Sequence, residues 1–148
     1  MFVICVSTCI VTFSSFAPAQ QNGLTRDDST TALKYITSYP VKIDGGCSFI
    51  TYDSLPLKQR KFIFIISARQ DGFMELENGE ASVILKQVSK ESLPDKTSVE
   101  TFAGQGYKAV LKRKEAKGTL EDWPYYKGTL QIRFQKKTKV YKIHGTKS

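Results

Sequence analysis

The chain has 148 residues, 41% of them hydrophobic, with a formal net charge of +8, one histidine and three cysteines. That length suits one domain with one ordinary core. So few His and Cys leave no set of soft ligands for a transition-metal site, and only one histidine for Ser-His-Asp or Cys-His chemistry.

Residues 1–25 carry no charged side chain, and Arg26 is the first. Met1 to Phe16 is apolar and hydroxyl-rich and leads into Ala17-Pro18-Ala19 before Gln20, the small-x-small pattern of a signal-peptidase site. The stretch is too short, and too interrupted by Ser14, Ser15 and Pro18, to span a bilayer. We therefore expect a signal peptide at 1–19, a leader or short helix at 20–38, and a single β-domain at 39–148 that is exported to the periplasm or the cell exterior. Lipid attachment at Cys9 is the lesser alternative. Cleavage removes Cys5 and Cys9 and leaves Cys47, expected to be a buried small hydrophobe rather than a reactive thiol.

Asp28 or Ser29 suits the cap of a short helix over Ala32, Leu33, Tyr35 and Ile36, although the same residues also suit an extended edge segment. Val41 to Ile43 precedes the turn Asp44-Gly45-Gly46, and Cys47 to Tyr52 is rich in β-formers. Phe62-Ile63-Phe64-Ile65-Ile66 predicts a strand covered on both faces, flanked by Lys58, Arg60, Lys61 and Arg69 as charged gatekeepers. Residues 72–77 and 80–87 flank Asn78-Gly79, which predicts a two-residue type I′ hairpin. Ser89 to Thr97 is expected to be a polar loop, Ser98 to Phe102 a short strand, and Gly104-Gln105-Gly106 a turn.

The last third is the distinctive part: twelve of the chain's Lys and Arg lie from Tyr107 onward, against three Asp or Glu. Tyr107, Ala109 and Leu111 alternate with Lys108, Val110 and Lys112; Leu130, Ile132 and Phe134 alternate with Thr129, Gln131 and Arg133. Lys117 to Pro124 connects the first of these strands to the second. Gln135 to Lys137 then turns the chain into a returning strand, Lys139 to His144. This period of two puts the apolar set inward and the basic set outward. The whole pattern predicts an all-β fold, an antiparallel sandwich or small barrel of about eight short strands.

Little in the chain reads as catalytic. His144 stands alone near the C-terminus, and no local motif ties it to Cys47. Glu75 and Glu77 share a strand face where paired carboxylates can serve hydrolysis or calcium binding, but such alternation ordinarily marks a solvated hairpin. Gly104-Gln105-Gly106 lacks the helix start of a phosphate loop. The functional expectation is a non-enzymatic binding module that needs no cofactor or metal. Its candidate surface is Tyr107, Lys108, Lys112, Lys114, Lys127, Arg133, Lys137, Lys139 and Lys142. The partners expected are an anionic lipid or polysaccharide surface, or an acidic protein. Nucleic acid is disfavoured because the alternation sends Tyr107 and Phe134 to the core rather than to a stacking platform.

Two resemblances bear on this. Gly104-Gln105-Gly106-Tyr107 and Trp123-Pro124-Tyr125-Tyr126-Lys127-Gly128 faintly resemble segments of the periplasmic inhibitors of c-type lysozyme. Those are small exported β-barrels, and the resemblance implies inhibition of a cell-wall hydrolase through a loop near Tyr107 and Lys127. The chain departs from them in lacking the serine before Gly104 and the disulfide cysteines. A cysteine after an early turn and the closing Lys127-Gly128-Thr129-Leu130 strand also resemble small exported β-proteins of Bacteroidetes-type bacteria, a likeness that implies no activity.

Overall fold

The computed structural model describes residues 30–39, 45–79, 81–117 and 124–148. The expected signal peptide, Val41 to Ile43, the turn residue Asp44 and most of the 117–124 connection lie outside the described residues.

Nine strands form one antiparallel system: β1 (Leu33–Lys34), β2 (Ser48–Tyr52), β3 (Phe64–Ile66), β4 (Asp71–Leu76), β5 (Val83–Ser92), β6 (Thr97–Gly104), β7 (Tyr107–Glu115), β8 (Tyr125–Phe134) and β9 (Lys137–Lys147). From β2 to β9 each strand pairs with the next, and β9 returns to β2 with Ile50 opposite Gly145. The result is a closed eight-stranded up-and-down barrel, one of the two architectures expected. Closure removes most of the exposed strand edges that an open sheet would carry.

Alternation decides what fills it. Inward positions carry Ile50, Phe64, Ile66, Met74, Leu85, Phe102, Ala109, Leu111, Leu130, Ile132 and Ile143, all in one buried cluster. An eight-stranded barrel is narrow enough for its own side chains to pack the interior. Gly72 makes room in that interior: a Cβ there would stand 2.7 Å from the Phe64 ring, which packs edge-on to Phe102 at 5.5 Å. The apolar 62–66 run is indeed covered on both faces. Phe64 and Ile66 point into the barrel, while Ile65 joins Ile36, Leu57 and Phe62 in a second cluster outside it.

Of the two readings for Ala32 to Ile36, the helix does not form and the extended edge segment does, with Leu33 and Lys34 making β1. Leu33 pairs with Leu76 and Lys34 with Glu75 along the β4 edge that β3 uses further back. Leu33 plugs one end of the barrel, where its amide donates to Tyr141 Oη (3.1 Å), its carbonyl accepts from Tyr52 Oη (2.9 Å), and Tyr141 Oη donates to the Thr31 carbonyl (2.7 Å). A backbone satisfied by a strand edge and two phenols has no need of helical bonds.

Two further expectations are corrected. Asn78-Gly79 does not close a two-residue hairpin. The β4–β5 ladder ends at Met74 opposite Val83, and neither Asn78 nor Gly79 takes positive φ. The chain turns one residue earlier instead: the Gly79 amide donates to the Leu76 carbonyl (3.0 Å), which puts Glu77 and Asn78 at the centre of the turn. The type I′ pattern appears instead at Gln105 (φ 53°) and Gly106 (φ 82°), between β6 and β7. Residues 89–92 are strand rather than loop. β5 continues past a bulge at Val88 as an exposed ribbon with β6, held by cross-strand bonds without an apolar face to announce it.

Candidate functional site

The structure distributes the nine candidate residues over two faces. Lys108, Lys112 and Lys114 on β7, Lys127 and Arg133 on β8, and Lys142 on β9 share the outward phase and are all exposed. Registers set them side by side: Lys108 faces Arg133, Lys114 faces Lys127, and Thr129 separates Lys112 from Lys142. Adjacent strands lie about 4.8 Å apart, so Lys112 and Lys142 stand on backbones roughly 10 Å from one another. The next outward row, Val110, Gln131 and Val140, is uncharged, with Val140 58% exposed.

Like charges directly opposite on a sheet repel. At one margin this is relieved: Lys114 pairs with Asp95 (3.4 Å) and Lys127 with Asp53 (3.9 Å). Thr97 holds Asp95 in place with its hydroxyl (2.8 Å) and amide (3.1 Å), which keeps the carboxyl below its ordinary range. Lys108, Lys112, Arg133 and Lys142 have no carboxylate partner among the described residues, and they form the centre of the patch.

The other three candidates lie elsewhere. Tyr107 takes the inward phase and stacks on Phe134 at 4.4 Å; burial raises its phenol above the ordinary value. Lys137 and Lys139 share that inward phase near the plugged end, and Lys139 Nζ stands 5.5 Å over the Tyr141 ring. Tyr107 and Lys127 sit at opposite ends of the β7–β8 pair, because Tyr107 faces Phe134 while Lys127 faces Lys114.

Three polar clusters were not legible as sites in the sequence. The first is inside the barrel, at the end away from the plug. Glu100 is fully buried; its Oε1 accepts from Arg113 Nη2 (2.8 Å), Arg113 Nε (3.1 Å) and Ser98 Oγ (3.3 Å), and its Oε2 from Gln87 Nε2 (3.0 Å). Lys90 Nζ lies 4.0 Å from the same Oε1, and Arg113 rests over the Tyr126 ring at 4.9 Å. A signal existed: Arg113 is in phase with Tyr107, Ala109 and Leu111, and Glu100 with Phe102, so opposite charges fall on the apolar phase of neighbouring strands.

The second cluster surrounds Glu75, which is buried rather than on a solvated hairpin face. The Thr37 and Ser38 amides donate to Oε1 (3.1 and 3.2 Å), and Lys34 stands 3.5 Å from Oε2. Burial works to raise its pKa, but the Ser38 and Thr37 amides and Lys34 together hold it below the ordinary 4.5. The third centres on His144, whose Nδ1 bonds Tyr125 Oη (2.9 Å) and whose Nε2 bonds the Leu55 carbonyl. It pins the 53–63 connection over the outer face of β2 and β9.

Among the described residues, no three His, Cys, Asp or Glu converge as metal ligands. No family model, curated protein or solved structure matches the chain.

Proposed function

We propose that this β-barrel is an exported, non-enzymatic binding module that engages an extended anionic partner, an acidic polysaccharide or anionic lipid surface, through the outer face of β7–β9. The observation that supports the reading is the set Lys108, Lys112, Arg133 and Lys142: four cations on three adjacent strands without carboxylate partners among the described residues. Such a surface creates a local positive potential and draws polyanions, an effect that salt screens. The module reading also rests on the state of the one histidine. Both ring nitrogens of His144 are already hydrogen-bonded, which suits a structural latch better than a general base.

Nucleic acid is the weaker match. Tyr107 is stacked on Phe134, Tyr141 is bonded to the plug, Tyr125 to His144, and Tyr126 lies beneath Arg113, so each is committed within the fold. Inhibition of a cell-wall hydrolase is a lesser reading, since the Tyr107 and Lys127 segments do not share one loop.

The test is binding of the purified protein to an acidic polysaccharide and to anionic vesicles at low and physiological salt, with single-stranded DNA as control. Binding that weakens with salt and is lost in Lys112→Glu/Lys142→Glu supports the proposal. Absence of binding to either surface at low salt reduces the patch to a solubilising one.

A further inference from the structure

We propose that Arg113 and Lys90, at the barrel end away from the N-terminal plug, form a subsite for the oxyanion group of a small ligand: a carboxylate, sulfate or phosphate. The site is on the inner face of the sheet, opposite in phase to the basic patch, and stands independently of it.

Charge makes the first part of the case. Two cations, Arg113 and Lys90, surround one carboxylate, Glu100, and no second carboxylate pairs with either among the described residues. The excess positive charge therefore sits beside a guanidinium only 10% exposed. An ion pair in a barrel core is a poor route to stability, because well-packed apolar side chains of similar volume serve as well or better. The second cation adds repulsion to that cost. An oxyanion arriving from solvent offsets both.

Geometry makes the second part. Arg113 spends Nε and Nη2 on a single oxygen of Glu100. Its Nη1 makes no hydrogen bond among the described residues, and the Tyr126 face 4.9 Å away fixes the plane in which that group points. Lys90 Nζ approaches the same Oε1 from β5 at 4.0 Å and is half-exposed, so the site is reachable from solvent. Distances of 2.8 and 4.0 Å to one shared atom keep Arg113 Nη2 and Lys90 Nζ within roughly 7 Å of each other, and Nη2 carries a second hydrogen, beside Nη1, for an incoming oxygen. An oxyanion making two charge-assisted hydrogen bonds of about 2.8 Å bridges such a gap. Glu100 is then a positioning residue, locking Arg113 for an incoming anion. Past Lys86 the β5 ribbon has only β6 beside it, which leaves this end of the barrel accessible along its rim.

The experiment is an amide-resolved NMR titration of the full chain with glucuronate, sulfate and inorganic phosphate, using glucose as the neutral control. The expected result is a saturable shift confined to Gln87, Lys90, Ser98, Glu100, Arg113 and Tyr126, with at least one oxyanion and not with glucose. Which of the three binds identifies the source of the group. Lys90→Gln, at a half-exposed position, should leave thermal stability intact and weaken binding by about fivefold or more, roughly 1 kcal/mol. Lys112→Gln/Lys142→Gln on the outer face should leave it unchanged. Shifts that map to the outer lysines, equal binding by Lys90→Gln, an equal response to glucose, or no saturable shift would each overturn the proposal.

Discussion

At Gly128 a Cβ would stand 1.9 Å from the Lys112 carbonyl oxygen and 2.8 Å from the Arg113 Cα. Those are backbone atoms of the neighbouring strand and cannot step aside, so the glycine is where β8 bends tightly against β7. Gly128→Ala should therefore cost about 3 kcal/mol or more in urea unfolding. Gly45→Ala, with nothing within 4 Å, should change stability by less than about 0.5 kcal/mol. The Lys127-Gly128-Thr129 segment thus carries a steric reason of its own, apart from any resemblance it bears. Glu75 gives a pH prediction. Its folded pKa is depressed, so the stability it contributes is present above the ordinary 4.5 and lost as pH falls through the lower folded value. Glu75→Gln should destabilise by about 2 kcal/mol at pH 7, and the gap between variant and wild type in urea midpoint should narrow on acidification toward pH 3. Tyr52 works in the opposite direction. Burial, then the neighbouring Tyr141, Tyr35 and Glu77, push its phenol up to about 12. Its contribution is complete below the ordinary value of 10.0 and lost as pH rises toward 12, so Tyr52→Phe should flatten that alkaline decline in melting temperature.

Among the elements, β7 and β8 were readable because one face of each is buried and the other wet, which is what a period of two records. β1 was not, since two residues pairing with the end of β4 leave no periodic trace. The distal half of β5 was hidden for a related reason: Val88 to Ser92 is exposed on both faces, so its hydropathy is that of a loop. The Asn78-Gly79 hairpin did not form because the chain turns one residue ahead of the dipeptide, with the Gly79 amide bonded back to the Leu76 carbonyl. The β6–β7 pair carries a separable prediction. Arg113→Met alone leaves Glu100 buried without its main partner and should cost about 3–5 kcal/mol, whereas Glu100→Leu/Arg113→Met should recover most of that loss. A double-mutant cycle by chemical unfolding measures the difference. Full additivity would show that the two side chains are not coupled.

For the molecule as a whole, fold class was legible from the spacing of turns and the alternation of the strands, while closure was not. Sandwich and barrel share that pattern, and the pairing of β9 with β2 that decides between them joins residues nearly a hundred positions apart. The candidate surface was legible in part. Outward phase correctly grouped Lys108, Lys112, Lys114, Lys127, Arg133 and Lys142, whereas Lys137 and Lys139 carry charge at inward positions near the barrel rim and Tyr107 is stacked on Phe134. Charge counted along a sequence does not distinguish the two faces of one strand.

The central claim, that the β7–β9 face binds an extended anion, is tested most directly by the salt dependence of binding to an acidic polysaccharide. Affinity should fall steeply between low and physiological ionic strength, and Lys112→Glu/Lys142→Glu should abolish binding at unchanged melting temperature. Salt-independent binding, or a variant that binds as wild type does, would contradict it.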